Sequence, residues 1–444
     1  MDVSIVGAGL AGCEAALALS GLGISVRLIE MKPARFSPAH SSSNFAELVC
    51  SNSLRSASLN SAVGLLKQEL RLLGSVVMYA ADIASVPAGK ALAVDRKEFS
   101  ELITKVIENS PLITIERKEA DKLPCDSDDT VIIATGPLTS DRLAKDISDR
   151  LGSSGLYFYD AIAPIVYAES LDMSKLFRAS RYETGEGDYL NAPMDRDLYH
   201  HFVSEIRAAR KVEPHPFEKM SHFEGCLPVE ELASRGEETL AFGPMKPVGL
   251  VDPKTGVRSH AVVQLRAENS DRTLYNLVGF QTKMTYSEQE RVFRMIPGLQ
   301  NAQFARLGSS HRNTYLDAPL LLDEFCRAKK CPNNFFAGQI TGVEGYVESA
   351  ASGLVVGLMS GLILRGISRP PLPPVESAIG GLMMHTRRPP GASRKYEPMN
   401  VNFGMIEGAS GRSGKSKKPE VAVRAIDAVQ KWKKEIEEIV KTAK

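Results

Sequence analysis

A glycine-rich loop near the amino terminus has the residue types and spacing that bind a dinucleotide. It follows an apolar run at Val3–Val6 and precedes an Ala- and Leu-rich helical stretch that extends to about Ser20. In such a loop the first glycine permits a tight turn, the second lets the backbone approach a pyrophosphate, and the third lets the helix pack on the strand. The helix N-terminus adds free N–H groups and a partial positive charge. The residues predicted to bind the cofactor here are Gly7, Ala8, Gly9, Leu10, Ala11 and Gly12.

An acidic residue follows this loop at the distance that is typical of dinucleotide-binding folds. A second apolar run, Ser25–Ile29, ends at Glu30, which lies 18 residues after Gly12. A carboxylate at this distance accepts hydrogen bonds from the hydroxyls of an adenosine ribose. The order strand, loop, helix, strand therefore predicts a βαβ unit that binds NAD or FAD.

Two of the six cysteines lie in loops where a thiol can react. Cys50 lies in a polar stretch, roughly Lys32 to Ser58, that is longer than an ordinary connection, and long loops in compact domains are often functional. Cys226 lies in a predicted turn near Lys219 and His222, whose positive charges lower the pKa of a thiol. The remaining cysteines, which are Cys13, Cys125, Cys326 and Cys331, are predicted to be unreactive. Cys326 and Cys331 lie too far along the chain to be the redox-active cysteine pair of a flavin disulfide reductase.

Composition excludes several classes of protein. The chain has 444 residues, 43% of them hydrophobic and 24% charged, with a net charge of +1, which is typical of a globular protein with two or three domains. Six scattered cysteines predict reduced thiols in a cytoplasmic protein, and no C-x-x-C spacing or other pattern predicts a metal site. The longest apolar segment, Gly353 to Leu364, is too short to span a bilayer, so no membrane contact is expected.

The chain divides into an α/β nucleotide-binding fold and an inserted part. We predict a first part of the FAD-binding domain at 1–155, an inserted α+β substrate and RNA domain at 156–325, the second part of the FAD-binding domain at 326–405, and a basic linker with a C-terminal helix at 406–444. Alternating strands such as Ala261–Arg266 and Leu274–Phe280 favour an antiparallel sheet in the insertion. A Pro-rich run from Pro370 to Pro374 is predicted to end the compact fold.

Two later strands favour FAD over NAD. One ends in Ala134-Thr135-Gly136 and the other in Ala337-Gly338. Together with the first loop they resemble the three-part signature of the glutathione-reductase-like flavoprotein superfamily. That resemblance implies a Rossmann FAD-binding domain in which a helix beginning near Gly345 points its N-terminus at the flavin. The chain departs from the signature at Gln339, where an acidic residue is usual.

The sequence around these motifs is similar to one family. The segments that carry the similarity, over residues 1 to about 405, are the glycine loop with Cys13-Glu14-Ala15-Ala16, Glu47-Leu48-Val49-Cys50-Ser51-Asn52-Ser53, Phe223-Glu224-Gly225-Cys226-Leu227-Pro228, Asn276-Leu277-Val278-Gly279-Phe280-Gln281, and 336–349. They resemble the bacterial FAD- and folate-dependent tRNA (uracil-5-)-methyltransferases, which make ribothymidine at position 54 of the T-loop. The wobble-uridine-modifying tRNA flavoproteins share the FAD domain but are substantially longer.

The resemblance implies a reaction. Uracil C5 becomes a nucleophile when a thiolate adds to C6, the one-carbon unit comes from 5,10-methylenetetrahydrofolate, and FADH2 regenerated by NAD(P)H reduces that unit to a methyl group. Cys226 is then the nucleophile and Cys50 its partner near the flavin, although the two roles can be exchanged. Tyr346 and Glu348 would position the folate. The cofactor-binding set also includes Glu30, Lys32, Gly136, Gly338, Gln339 and Gly345.

The expected partners are the T-arm of tRNA, folate and NAD(P)H, with no stable protein partner implied. Local positive charge at Arg207–Lys211, Arg387-Arg388, Arg394-Lys395 and in the C-terminal helix offers contacts for phosphate. Four other functions stay open. They are methylation of a 23S rRNA uridine, modification of a wobble uridine in tRNA, a flavin oxidoreductase acting on a disulfide or small molecule, and a non-catalytic flavin-bearing RNA-binding protein.

Overall fold

The computed structural model describes residues 2–125, 127–152, 156–181, 187–212, 227–389, 396–409 and 418–442. The strands among these residues are β1 (Asp2–Val6), β2 (Ser25–Glu30), β3 (Ser53–Ser56), β4 (Ser85–Val86), β5 (Ala91–Val94), β6 (Ile113–Arg117), β7 (Val131–Ile133), β8 (Leu156–Ala161), β9 (Ile165–Tyr167), β10 (Phe177–Ala179), β11 (Tyr189–Met194), β12 (Ala261–Ala267), β13 (Leu274–Leu277), β14 (Phe304–Arg306), β15 (Ser310–Tyr315) and β16 (Asn334–Phe336). The helices are α1 (Leu10–Gly21), α2 (Ala62–Leu73), α3 (Val76–Ile83), α4 (Arg96–Glu108), α5 (Asp141–Leu151), α6 (Arg196–Ala208), α7 (Val229–Ser234), α8 (Thr239–Phe242), α9 (Tyr286–Phe293), α10 (Ala318–Leu321), α11 (Tyr346–Leu364), α12 (Ala378–His385) and α13 (Lys418–Thr442).

A five-stranded parallel sheet forms the centre of the first core. Its order is β16-β7-β1-β2-β6, and every neighbouring pair is parallel. The strands are short and apolar because both faces are covered, as in α/β folds generally. The order reverses at β1, and in open parallel sheets such a reversal leaves a crevice at the carboxyl ends of the strands. The predicted glutathione-reductase-like α/β fold is confirmed.

Glycines at four-residue intervals let α11 pack directly on α1. A Cβ added at Gly353 would lie 2.1 Å from the carbonyl oxygen of Ala11, and one at Gly357 would lie 2.8 Å from Ala15. The helix has 19 residues and is long and apolar enough to cross a membrane, with a mean hydropathy of 1.7 over 18 residues, yet 83% of that stretch is buried inside the protein. Its apolar character is therefore explained by packing in the core. The helix is longer than the predicted apolar segment because it begins at Tyr346.

The inserted part has its own hydrophobic core. A six-stranded sheet in the order β10-β11-β12-β13-β9-β14 is antiparallel at every pairing, as the alternating patterns predict. Its core is separate from that of the parallel sheet and contains Tyr199, Phe202, Phe280 and Phe293. The strand predicted over Leu274–Phe280 ends at Leu277. The β8–β15 pair connects this part to the first core. The four domain boundaries stay predictions.

The compact fold continues beyond the Pro-rich run, so the prediction that it ends there is wrong. Glu69 of α2 accepts hydrogen bonds from the backbone N–H groups of Ala378 and Ile379, both at 2.8 Å, and so caps the N-terminus of α12. The final helix α13 places Val429 and Trp432 in the first core, and the Trp432 indole N–H donates to the carbonyl of Pro371 at 2.8 Å. The apolar face of α13 covers α2, which the basic composition of this helix did not indicate.

The expectation that all the thiols are reduced is corrected by one pair. Cys125 and Cys331 form a disulfide across 206 residues of sequence, with their Cα atoms 5.0 Å apart. It joins the loop before β7 to the loop before β16, two strands that are neighbours in the sheet. Cys13 and Cys326 are free and buried, as predicted for unreactive cysteines, and Cys50 is free and half-buried.

Candidate cofactor and active site

A cavity lies at the carboxyl edge of the parallel sheet. Residues that follow each of its five strands line it. The cavity has the place in the fold of a cofactor site. Most of the predicted cofactor-binding residues line it: Gly7, Ala8, Gly9, Leu10, Ala11, Glu30, Lys32, Gly136, Gly338, Gln339 and Tyr346.

The glycine loop has the geometry that a pyrophosphate requires. A Cβ at Gly9 would have no described atom within 4 Å, so the backbone here is open to the cavity. A Cβ at Gly12 would lie 1.8 Å from the carbonyl oxygen of Gly7, which explains the close contact between loop and helix. No described side chain caps the N-terminus of α1, which leaves its first N–H groups for an anion. This cradle fits FAD.

Glu30 and Lys32 shape the part of the cavity beyond β2. The Glu30 carboxylate accepts hydrogen bonds from the backbone N–H groups of Ala8 and Lys32, both at 2.9 Å. Each of its oxygens keeps a further lone pair for a ribose hydroxyl. The Lys32 ammonium donates to the carbonyl of Asn44 at 2.6 Å and lies 3.4 Å from the Glu47 carboxylate. These contacts fix both side chains before any ligand binds.

Tyr346 connects the cavity to Cys50. Its hydroxyl accepts hydrogen bonds from the backbone N–H groups of Cys50 at 2.7 Å and Ser51 at 3.2 Å. Burial raises the pKa of Tyr346, and electrostatic interaction with the Cys50 side chain adds to this shift. The thiol of Cys50 faces the carbonyl of Ala161, with the sulfur 3.8 Å from that oxygen. A tyrosine of the cofactor cavity therefore holds the backbone of the predicted reactive cysteine.

Two arginines fasten the loop that carries Cys50. Arg96 of α4 donates to the carbonyl of Leu48, and Arg306 of β14 donates to the carbonyl of Val49, both at 2.9 Å. Both guanidinium groups interact electrostatically with the Cys50 side chain. The loop is thus held jointly by the nucleotide-binding part and the inserted part.

Four other predicted site residues do not line the cavity. They are Gly12, Cys50, Gly345 and Glu348. Glu348 is fully buried in the first turn of α11, where its carboxylate pairs with Arg55 and accepts a hydrogen bond from the N–H of Val401 at 3.1 Å. Its predicted contact with folate therefore has no support from its position. Cys226 and its neighbours Lys219 and His222 lie outside the described residues.

Sequence reasoning missed several groups at the cavity. His40 and Glu47 line it, and Nδ1 of His40 lies 2.6 Å from the hydroxyl oxygen of Ser37. Burial, followed by the charge of Lys32, lowers the pKa of His40 below its usual range, so the imidazole is neutral at neutral pH. The length of the polar stretch before Ser58 was the available signal. It marked the segment, because unusually long loops are often functional, but it did not mark the individual residues.

The Arg55–Glu348 pair is expected to be important for stability. Glu348 is fully buried and one of its oxygens has no hydrogen-bond partner among the described residues, so loss of Arg55 would remove its ion-pair partner and leave only its electrostatic interaction with the buried Lys67. We expect Arg55→Ala to lower the free energy of unfolding by about 2–4 kcal/mol. This is less than for a fully buried ion pair, because the side chain of Arg55 is 40% exposed. Urea denaturation measures this.

The control is Arg71→Ala, which breaks a surface pair with Asp82 and should cost less than about 1 kcal/mol. Combining Arg55→Ala with Glu348→Gln should restore most of the loss. Equal costs for Arg55→Ala and Arg71→Ala would contradict the interpretation.

Comparison with known proteins agrees with the fold and the cavity, which define a flavoprotein of the glutathione-reductase-like class. The family model described as glucose inhibited division protein A matches residues 2–368. The chain is 56% identical over 432 residues to a Geobacter sulfurreducens protein named methylenetetrahydrofolate–tRNA-(uracil-5-)-methyltransferase TrmFO, covering 97% of this chain and 98% of that protein. A Citrifermentans bemidjiense protein of the same name is 56% identical over 437 residues, covering 98% and 99%.

The chain therefore belongs to the glucose inhibited division protein A family and, within it, to the TrmFO group. The resemblance stated from the sequence is confirmed. The solved structure of Aquifex aeolicus GidA in its form II crystal superposes with a TM-score of 0.70 at 17% identity, covering 99% of this chain and 75% of that one. At this identity the likeness concerns the fold.

Proposed function

We propose that this protein methylates C5 of a uridine in tRNA, with methylenetetrahydrofolate as the carbon donor and FAD as its cofactor. The observation that carries the proposal is the position of Cys50, whose backbone is bonded to Tyr346 at the wall of the cofactor cavity. A hydride-transferring reductase has no need of a thiol held in this way. The high identity to proteins named for this activity over nearly the whole chain supports the same conclusion.

Separate groups of residues bind the cofactor, hold Cys50 and activate the uracil. The glycine loop and the N-terminus of α1 bind the pyrophosphate, and Glu30 binds the ribose. Bound FAD supplies the hydride that reduces the transferred carbon to a methyl group. Tyr346, Arg96 and Arg306 hold Cys50 beside the cavity among positive charges. Cys226 adds through its sulfur to C6 of uracil, which makes C5 nucleophilic, and leaves after C5 has lost its proton.

The finer assignments are part of the proposal. The target is the T-loop uridine at position 54, NAD(P)H is the reductant, and the protein works in the cytoplasm, where tRNA and reduced folates are found. The decisive experiment incubates the FAD-loaded protein with NADPH, methylenetetrahydrofolate carrying a labelled methylene carbon, and unmodified tRNA. We expect labelled 5-methyluridine at position 54 by nucleoside mass spectrometry and fragment mapping.

A matched tRNA with cytidine at position 54 is the substrate control and should take up no label. Absence of label from the uridine-54 tRNA, in protein that retains FAD and oxidises NADPH, would refute the proposal. Label in 23S rRNA and none in tRNA would show that the same reaction acts on the alternative substrate, a uridine of 23S rRNA.

Binding of tRNA should weaken steeply with salt. The lysines of the C-terminal helix are balanced locally: Lys431 pairs with Asp427 at 2.7 Å, and Lys433 lies 3.9 Å from Glu437. Arg210, whose side chain is 76% exposed, lies 3.5 Å from Glu288, a carboxylate that also pairs with Arg291 at 2.8 Å, and the exposed Lys211 follows it. Arg394-Lys395 lies outside the described residues. About four phosphate contacts would reduce affinity about 10²-fold between ~50 and ~200 mM salt.

Fluorescence anisotropy with labelled tRNA measures this dependence. Replacing both Arg210 and Lys211 by alanine should flatten the slope of log Kd against log salt. Replacing the balanced Lys431 by alanine should leave it nearly unchanged. An affinity independent of salt would contradict electrostatic binding.

A further inference from the structure

Three potential metal ligands meet on the inserted part, away from the cofactor cavity. His200 lies on α6, Glu238 directly precedes α8, and His260 directly precedes β12. Each offers one ligand atom, and the three atoms lie within 4.8 Å of one another. The residues are separated by up to 60 positions in sequence, so no local spacing indicates the cluster. It comes from three different elements that the fold brings together.

The distances suit a small divalent ion. Nε2 of His260 lies 3.2 Å from one carboxylate oxygen of Glu238, and Nε2 of His200 lies 3.4 Å from the other. Imidazole nitrogens and carboxylate oxygens bind Zn²⁺ at about 2.0–2.2 Å, which places two tetrahedral ligands ~3.4 Å apart. The three ligand atoms lie within 4.8 Å of one another, so each pair must approach by at most about 1.4 Å to surround an ion.

A buried tyrosine holds the cluster in place. Tyr199 is fully buried, its hydroxyl donates to the carbonyl of Glu237 at 2.7 Å, and the same oxygen accepts from the N–H of Ala241 at 3.1 Å. These bonds fix the segment that carries Glu238. The Tyr199 ring centroid lies 5.3 Å from that of His200 and 4.9 Å from that of His260. Preorganised ligands lose little conformational entropy on binding.

The cluster is accessible from solvent. The side chains of His200, Glu238 and His260 are 33%, 41% and 28% exposed, so an ion can enter and water can complete its coordination. Two imidazoles and one carboxylate, with a fourth position for water, form a donor set that zinc uses. The nitrogen ligands disfavour Mg²⁺ and Ca²⁺, which take oxygen ligands.

We propose that His200, Glu238 and His260 form a binding site for Zn²⁺, beyond the proposed methylation. The ion would link α6, the segment before α8 and the start of β12, three elements of the inserted part. Because the site is apart from the cofactor cavity, bound zinc stabilises this part of the fold and takes no part in methyl transfer.

The test uses the untagged, FAD-loaded full chain after removal of metals with a chelator. Zinc binding is measured by calorimetry and by metal analysis after gel filtration, for the wild type and for His200→Ala, Glu238→Gln and His260→Ala. His201→Ala is the matched control, since His201 is exposed on the same helix but does not belong to the cluster. Thermal unfolding of each protein is followed with and without zinc.

We expect the wild type to bind one zinc ion per chain. Each cluster variant should weaken this binding at least about 10-fold, since loss of a hydrogen-bond partner of a metal ligand already costs that much, and His201→Ala should leave it unchanged. Zinc should raise the Tm of the wild type and of His201→Ala, and should do so less in the cluster variants. A Co²⁺ complex should lack the charge-transfer absorption of thiolate ligands. Zinc binding by the cluster variants that equals the wild type, or loss of binding in His201→Ala, would overturn the proposal, as would no stoichiometric zinc in the wild type.

Discussion

Cys50→Ala is expected to reduce the rate of tRNA methylation about 10²–10⁴-fold while FAD stays bound, the range that a positioned catalytic group usually contributes. The substitution removes only the thiol. The backbone N–H of residue 50 can still donate to Tyr346, and Arg96 and Arg306 still bind the carbonyls of Leu48 and Val49. The cavity wall therefore remains, and a lost rate reports on the sulfur. Single-turnover formation of 5-methyluridine is the measurement.

The control for Cys50→Ala is Cys326→Ala, which removes a buried free thiol that contacts Thr386. It should retain FAD and methylation. Cys226→Ala should lose methylation but keep NAD(P)H oxidation, because the proposed C6 nucleophile is not needed for electron entry. A wild-type rate of methylation by Cys50→Ala would show that the thiol of Cys50 has no role in the reaction.

Gly9→Ala is expected to weaken FAD binding about 10- to 100-fold without unfolding the protein. An added Cβ meets no described atom within 4 Å, and Gly9 does not have a positive φ, so the protein without cofactor accommodates it. The methyl group enters the space where the pyrophosphate must approach the backbone. Overpacking by one such group typically costs about 1–3 kcal/mol, which corresponds to this range of affinity. Titration of the apoprotein with FAD, followed by flavin fluorescence, measures the effect.

Two other glycines of α1 provide matched comparisons for Gly9→Ala. Gly21→Ala also adds a methyl group with no described atom within 4 Å, but at the other end of the helix, and FAD affinity should stay at the wild-type value. Gly12→Ala places a Cβ 1.8 Å from the Gly7 carbonyl and should lower the Tm as well as the affinity. If Gly9→Ala and Gly21→Ala bind FAD equally, the pyrophosphate does not lie over Gly9.

Local pattern was sufficient for the elements that build the nucleotide fold. The apolar run Val3–Val6 forms β1, the run Ser25–Ile29 forms β2, and the strand predicted to end in Ala134-Thr135-Gly136 is β7. These predictions succeeded because short apolar strands carry their signal within a few residues. The glycine loop was equally informative, because each of its glycines is needed where a Cβ would prevent a tight turn or a close contact nearby.

Predictions failed where the deciding contact joins distant segments. The C-terminal helix was interpreted from its charge, yet its burial depends on the complementary surface of α2. Cys125 is predicted from the sequence to be an unreactive thiol, whereas Cys331 approaches it and pairs with it only when β7 and β16 are neighbours. Glu348 lies one turn from Tyr346 at the start of α11 but faces Arg55 and Val401, so proximity in sequence did not make it part of the cavity.

The amino-acid sequence alone determined the class of fold, the dinucleotide loop and the family, because these depend on residue types at short, fixed spacings. Only the tertiary structure decided which polar groups share a wall with the cofactor, which cysteines pair, and that two histidines and a glutamate meet on the inserted part. Such groupings depend on the register and packing of elements far apart in the chain, and a one-dimensional pattern contains no direct record of that packing.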